Sequence, residues 1–194
     1  MKSDYGALSD GELAALAAVG GEAAFREIVR RHSSQVYRLI VGNVSDPDEA
    51  LDLVQETFIS AHGALRRFDP SRPMAAWLSV IALNKCRDWA RRRTVRRFFA
   101  FARPIDEVAG ELASDAPGID VAAADRQELE RLRQAITELP TALREPLVLH
   151  SVEGMSQADT ASVLAITEKA VETRLRRARI RLAEILARHP PAGH

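Results

Sequence analysis

Apolar residues recur through most of the chain at the three-and-four-residue spacing of amphipathic helices, and strand-like alternation is nearly absent. Ser9 and Glu12 carry the signature of a capping box ahead of Leu13 and Leu16. The spacing predicts a second helix over about 22–41, with Phe25, Ile28, Val29, Val36 and Leu39 as its core face. Asp46, Pro47, Asp48 and Glu49 are a strong helix start: an Asx cap, a proline in the first turn, and acids at the positive helix end. The third helix runs to about residue 67 with Leu51, Val54, Phe58, Ala61 and Leu65 as its expected apolar stripe. Asp52, Gln55, Glu56 and Ile59 then fall on the opposite face. Phe68, Asp69, Pro70, Ser71, Arg72 and Pro73 break the chain before a fourth helix over about 74–93.

Beyond that helix the pattern fades. Residues 104–124 are rich in Pro, Gly, Ser, Asp and small side chains, and are expected to be a flexible, acidic linker. Helical periodicity resumes near Asp125, punctuated by Pro140 and Pro146. The expected architecture is all-α: one helical domain over 1–103, the linker over 104–124, and a second helical domain over 125–194.

Charge sharpens this division. The formal net charge is zero, yet residues 22–103 carry 15 basic against 9 acidic side chains and residues 131–194 carry 10 against 7. Residues 104–130 carry one arginine against 8 acids. Two basic blocks flank an acidic connector, and polyanion binding follows local rather than total charge.

In the second block, Ser156 and Asp159 fit a helix start, with Ala158, Ala161, Val163 and Leu164 supplying small apolar packing. A short turn at Ala165 and Ile166 leads to Thr167, a good N-cap for a long helix from Glu168 towards Ala187. Val171, Leu175, Ala178 and Leu182 form its buried stripe. Lys169, Thr173, Arg176, Arg177 and Ile180 lie opposite, with Glu172 and Arg174 at the two edges. Two helices, a tight turn and a basic second helix make the helix-turn-helix pattern, whose second helix reads the major groove.

The first block carries Asp52-Leu53-Val54-Gln55-Glu56-Thr57-Phe58, Arg67-Phe68-Asp69-Pro70, Ala76-Trp77-Leu78 and Ile81-Ala82-Leu83-Asn84. This order resembles region 2 of the sigma-70 family, whose smallest members are the extracytoplasmic-function sigma factors. Leu139-Pro140, Leu143-Arg144, Gly154-Met155-Ser156 and the run from Val171 to Arg179 resemble region 4. The resemblance implies a protein that binds core RNA polymerase and directs it to promoter DNA at −35 and −10 elements. It implies docking on the polymerase clamp through Asp52, Gln55, Glu56 and Ile59. It places a flipped base of the melted −10 element near Phe68, Asp69, Ser71 and Asn84, with Arg87, Asp88, Arg91 and Arg92 on the same helix. Arg93, Arg96 and Arg97 would add phosphate contacts. It implies −35 contacts from Thr167, Lys169, Glu172, Thr173, Arg174, Arg176 and Arg177, and control by an anti-sigma factor.

Several residues keep a second reading. Phe68 can close the core at the end of the third helix, and Trp77 and Trp89 fit a core better than base stacking. Glu172 stands where a basic residue is usual; it can accept from cytosine, orient Arg176, or touch nothing. Lys85 stands where an apolar residue is common. The stretch 93–103, with Phe98, Phe99 and Phe101, has no clear family role.

Enzyme chemistry has little support. The five histidines and Cys86, the only cysteine, show no metal-ligand spacing, and no phosphate loop or nucleophile motif occurs. No cofactor is expected. No run of about 18 apolar residues offers a membrane span, and the start has no apolar signal core, so a cytoplasmic protein is expected. Two alternatives stay open: a helix-turn-helix regulator that works without polymerase, and an interaction module that docks on acidic proteins.

Overall fold

The computed structural model describes residues 5–44, 46–101 and 121–188, and the side chains of 97–101 and 121–126 lie outside that description. Four helices form the first half: α1 (Asp10–Ala18), α2 (Glu22–Val41), α3 (Pro47–Ala64) and α4 (Met74–Phe101). The second half holds α5 (Val121–Thr137), α6 (Thr141–Leu147), α7 (Gln157–Leu164) and α8 (Glu168–Arg188). No strand occurs among the described residues.

The helix starts follow their capping residues. The Ser9 hydroxyl accepts the Glu12 N–H, and the Glu12 carboxylate accepts the Ser9 N–H at 2.7 Å. Asp46 accepts from the N–H groups of Asp48 and Glu49, with Pro47 in the first turn. Ser156 caps α7 through the Asp159 N–H at 3.0 Å, and Thr167 caps α8 through the Ala170 N–H at 3.1 Å. Past Pro146, which has no N–H to donate, the helix widens into a π turn over Val148–Val152.

Helices α1 to α4 surround a core that includes Leu13, Ile28, Leu39, Ile40, Leu53, Leu78 and Leu83. The stripe of α3 differs from the expected one. Its buried residues are Ala50, Leu53, Thr57, Phe58 and Ala61, whereas Leu51 is 52% exposed and Val54 only half-buried. Two neighbouring stripes share Phe58 and Ala61, so periodicity alone did not separate them. Thr57 can lie inside because its hydroxyl donates to the Leu53 carbonyl at 2.7 Å, leaving no donor unsatisfied. In α7, Ala158 is exposed and contributes nothing to the packing expected of it.

Helix α5 begins at Val121, inside the stretch expected as linker. Residues 104–120 of that stretch lie outside the described residues. Helix α4 continues to Phe101, so the part of the 93–103 stretch that is described is a helical extension.

The second half has its own core of Ala135, Leu139, Leu147, Ala161, Val171, Leu175, Ala178 and Ile185. It also reaches into the first. Val148, Leu149 and Val163 are buried in the same cluster as the residues of α2 and α4. Gly42, at the end of α2, makes room for this approach: a Cβ there would lie 2.9 Å from Val148 Cγ1. Polar contacts frame the seam, with Arg87 paired to Glu145, Arg38 to Glu153, and Arg72 donating to the Ser162 hydroxyl.

Candidate nucleic-acid interfaces

The helix-turn-helix is built from α7, a three-residue turn and α8. Ala165 adopts a left-handed conformation, φ 53° and ψ 46°, which costs a non-glycine residue about 1 kcal/mol. The turn recovers bonds in exchange: the Ile166 N–H reaches the Ala161 carbonyl and the Ala165 N–H the Ser162 carbonyl. Val171, Leu175 and Ala178 anchor α8, joined by Ile185 rather than by the expected Leu182, which is half-buried. The opposite face presents Thr167, Lys169, Glu172, Arg176 and Arg177 to solvent. Thr173 and Arg174 are half-buried at its margin, and the Thr173 hydroxyl is spent on the Lys169 carbonyl at 2.9 Å. Arg174 and Arg177 make no ion pair among the described residues. Glu172 pairs with Lys169 at 2.8 Å, one turn back, not with Arg176. That hydrogen bond holds its carboxyl below the usual range, with a smaller contribution from the Arg176 charge.

The second site lies on α4 and the loop ahead of it. Phe68 is 9% exposed and belongs to the core, tilted against Trp77 at 5.2 Å between ring centroids. It also lines an open cavity of about 590 Å³ with Ser9, Asp10, Gly11, Pro70 and Ser71. Asn84 does not line that cavity. It is exposed on α4, where its Oδ1 accepts from Arg87. Asp69 accepts from the Ser71 N–H and hydroxyl, which holds its carboxyl below the usual range. Arg91 pairs with Asp88. The wall supplied by α1 had only a partial signal: the Ser9–Glu12 box placed the helix start, but nothing in the pattern brought Gly11 against Pro70.

The third surface is the outer face of α3. Asp52, Gln55 and Ile59 are exposed, with Ile59 at 72%, and Leu51 joins them. Glu56 stands apart from this group. It is half-buried in the α3–α4 seam, 3.4 Å from Lys85 and 4.0 Å from Arg92. Lys85 is thereby placed as the partner of Glu56. Glu49 extends the seam: it accepts the Trp89 indole N–H at 2.8 Å and lies 3.9 Å from Arg96. Trp89 is buried, and the Arg93 guanidinium stacks 5.1 Å from its ring. Cys86 is buried, and burial pushes its thiol up to about 12. Among the described residues no group of three His, Cys, Asp or Glu side chains is placed to hold a metal, and no helix is long and apolar enough to cross a membrane.

Residues 28–96 match the family described as Sigma-70 region 2, and residues 129–182 match Sigma-70, region 4. The chain is 43% identical over 183 residues to RNA polymerase sigma factor CnrH of Cupriavidus metallidurans, covering 92% of this chain and 94% of that protein. It is 32% identical over 178 residues to the ECF RNA polymerase sigma factor SigM of Mycobacterium tuberculosis, covering 92% and 85%. Among solved structures, CnrH in complex with the cytosolic domain of CnrY superposes with a TM-score of 0.67 at 35% identity, over 93% of this chain and 99% of that one. The fold is also that of the sigma factor RpoE of Bartonella quintana, solved with the anti-sigma factor NepR, at a TM-score of 0.65 and 24% identity over 86% and 98%. The chain therefore belongs to the sigma-70 family, in its extracytoplasmic-function class, and is a sigma factor directing transcription.

Proposed function

We propose that this sigma factor reads its promoter with two separated surfaces and holds core RNA polymerase with a third. The observation that carries the proposal is the placement of exposed, chemically distinct faces on α3, α4 and α8, each coinciding with a motif of the family. Asp52, Gln55 and Ile59 dock on core polymerase, with Leu51 adding apolar area and Glu56 setting the rim. Asn84, Arg87, Asp88, Arg91 and Arg92 face the melted −10 strand, where an amide and guanidinium groups suit base edges and phosphates. Phe68, Asp69 and Ser71 form the adjoining loop, with Phe68 as the floor of its cavity. Arg176, Arg177, Arg174 and Lys169, with Thr167, Thr173 and Glu172, read the −35 duplex in the major groove. Bond making belongs to the polymerase, so the chain itself is not an enzyme and works in the cytoplasm beside its polymerase. Control by an anti-sigma protein is supported by the solved complex of CnrH with the cytosolic part of CnrY.

Pull-down of purified core polymerase by the wild-type chain and by Asp52→Lys tests the first step. Retention of core by the wild type and its loss by the variant, at equal helicity, is the expected result. Equal retention overturns the assignment of this face.

A further inference from the structure

The one charged side chain that α6 buries is Glu145, 5% exposed, and it sits on a residue of the other half. Its two oxygens accept from Arg87 Nε at 2.7 Å and Nη2 at 2.6 Å, a bidentate fork across 58 positions of chain. Arg87 is also the residue that approaches Asn84 on the α4 face assigned above to the melted strand. The same seam holds Arg144, which is half-buried and donates to Asn43 Oδ1 at 3.3 Å, and the buried Val148 and Leu149. Glu153, its side chain 1% exposed, receives Arg38 from α2.

We propose that Glu145 is a built-in mask: in the free chain it holds Arg87 and closes the second half onto the first, and this contact must break before Arg87 can meet promoter DNA. The inference rests on the sigma-factor reading for the identity of the masked surface. Two arguments carry it. A carboxylate forked on both oxygens occupies the guanidinium where a phosphate would bind, and the two anions compete for one site. Elements centred near −35 and −10 also lie about 85 Å apart at roughly 3.4 Å per base pair. In the closed arrangement, α7 touches the loop before α4 through Ser162 and Arg72, and α8 follows after a three-residue turn. One closed molecule cannot address both elements. Arg87 is partly exposed while Glu145 is buried, so loss of the carboxylate leaves the arginine free to regain water, favouring opening.

The experiment uses the full chain carrying Glu145→Gln, with Glu184→Gln on the exposed face of α8 as a control of equal charge. Small-angle scattering reads the radius of gyration, and fluorescence anisotropy reads binding of a short randomised single-stranded oligonucleotide. Glu145→Gln is expected to raise the radius of gyration and tighten single-strand binding about tenfold, the scale of one charged hydrogen bond. Glu184→Gln should change neither by more than about twofold. Adding Arg87→Ala to Glu145→Gln should remove the gain in binding while the molecule stays open.

A second variant does not depend on weakening the fold. Gly42→Cys with Val148→Cys places two thiols across the seam at disulfide reach, and the buried, protonated Cys86 does not compete. Oxidised, this variant should lose single-strand binding at least tenfold relative to its reduced form. Unchanged scattering and affinity in Glu145→Gln, a gain that survives loss of Arg87, or equal binding by the oxidised and reduced lock would each overturn the mask. None of these readouts uses polymerase, so such a failure leaves the sigma-factor reading intact. If the reduced lock and the wild type both fail to support transcription by core polymerase, that reading fails and the scattering result stands.

Discussion

The α4 face and the α8 face, the two proposed to meet DNA, both carry arginines, but they are prepared differently. On α8, Arg174 and Arg177 have no ion-pair partner among the described residues, while Lys169 is neutralised by Glu172 and, two turns further on from Arg174, Arg181 by Glu184. On α4, Arg87 is held by Glu145, Arg91 by Asp88 and Arg92 by Glu56. A single helix anchored by Val171, Leu175 and Ala178 can present its charge ready for a duplex whose phosphates are always in place. On the proposed reading the α4 surface binds a strand that exists only after melting, and in this structure its cations rest on internal carboxylates. The lesson is that a count of arginines does not measure readiness to bind; the count of partners they must release does.

The sharpest way to break this comparison is Phe68→Ala. Phe68 is core as well as cavity wall, so its loss should cost about 3–5 kcal/mol of stability, seen as a lowered thermal midpoint. Phe68→Leu should recover most of that stability and isolate any effect on open-complex formation. A stable alanine variant would place Phe68 outside the core and undo the description of the −10 site.

Next comes Arg176→Ala with Arg177→Ala. Both side chains are exposed, so the double variant should keep its thermal midpoint and lose about 2–4 kcal/mol of affinity for duplex containing the −35 element. The salt dependence of binding should flatten by up to about two ion equivalents. An unchanged slope measured by titration at several salt concentrations would remove these residues from the DNA interface.

A smaller contrast separates Asp52 from Glu56. Asp52→Lys meets no internal partner and should weaken polymerase binding with a stability change inside about 0.5 kcal/mol. Glu56→Lys breaks a partly exposed contact with Lys85 and Arg92 and places like charges together, so it should lower stability by up to about 1 kcal/mol. Denaturant unfolding beside core pull-down distinguishes the two. Equal stability losses would show that Glu56 belongs with the open face.

Much of this arrangement was legible beforehand because it is local. Ser9, Asp46, Ser156 and Thr167 announce their helices through bonds three residues away or fewer. The helix-turn-helix and the exposed positions of Asp52, Gln55 and Ile59 follow from periodicity. The remainder depends on contacts that no window contains. Leu53 takes the buried place expected of Leu51, and a threonine buried by its own backbone bond completes the stripe. Glu172 turns to Lys169 instead of Arg176, although both lie one turn away and spacing alone does not choose between them. The Arg87–Glu145 fork spans two motif blocks, and nothing in either block names the other.

The smallest effect is expected at Glu172→Arg. Freeing Lys169 while adding a cation should tighten binding to every sequence by a few-fold, the scale of an exposed pair. Selection from randomised −35 elements at fixed salt reads whether base preference also shifts. A change confined to one or two positions would give Glu172 a reading role beyond neutralising Lys169.

Run-off transcription with purified core polymerase and a promoter library tests the central claim most directly. Transcripts should start only when the chain is added, from templates sharing one −35 and one −10 element. They should fall at least tenfold with Arg176→Ala plus Arg177→Ala, and likewise with Asp52→Lys when polymerase is limiting. Sequence-specific binding of duplex promoter by the chain alone, with no transcript when core polymerase is present, would contradict the account.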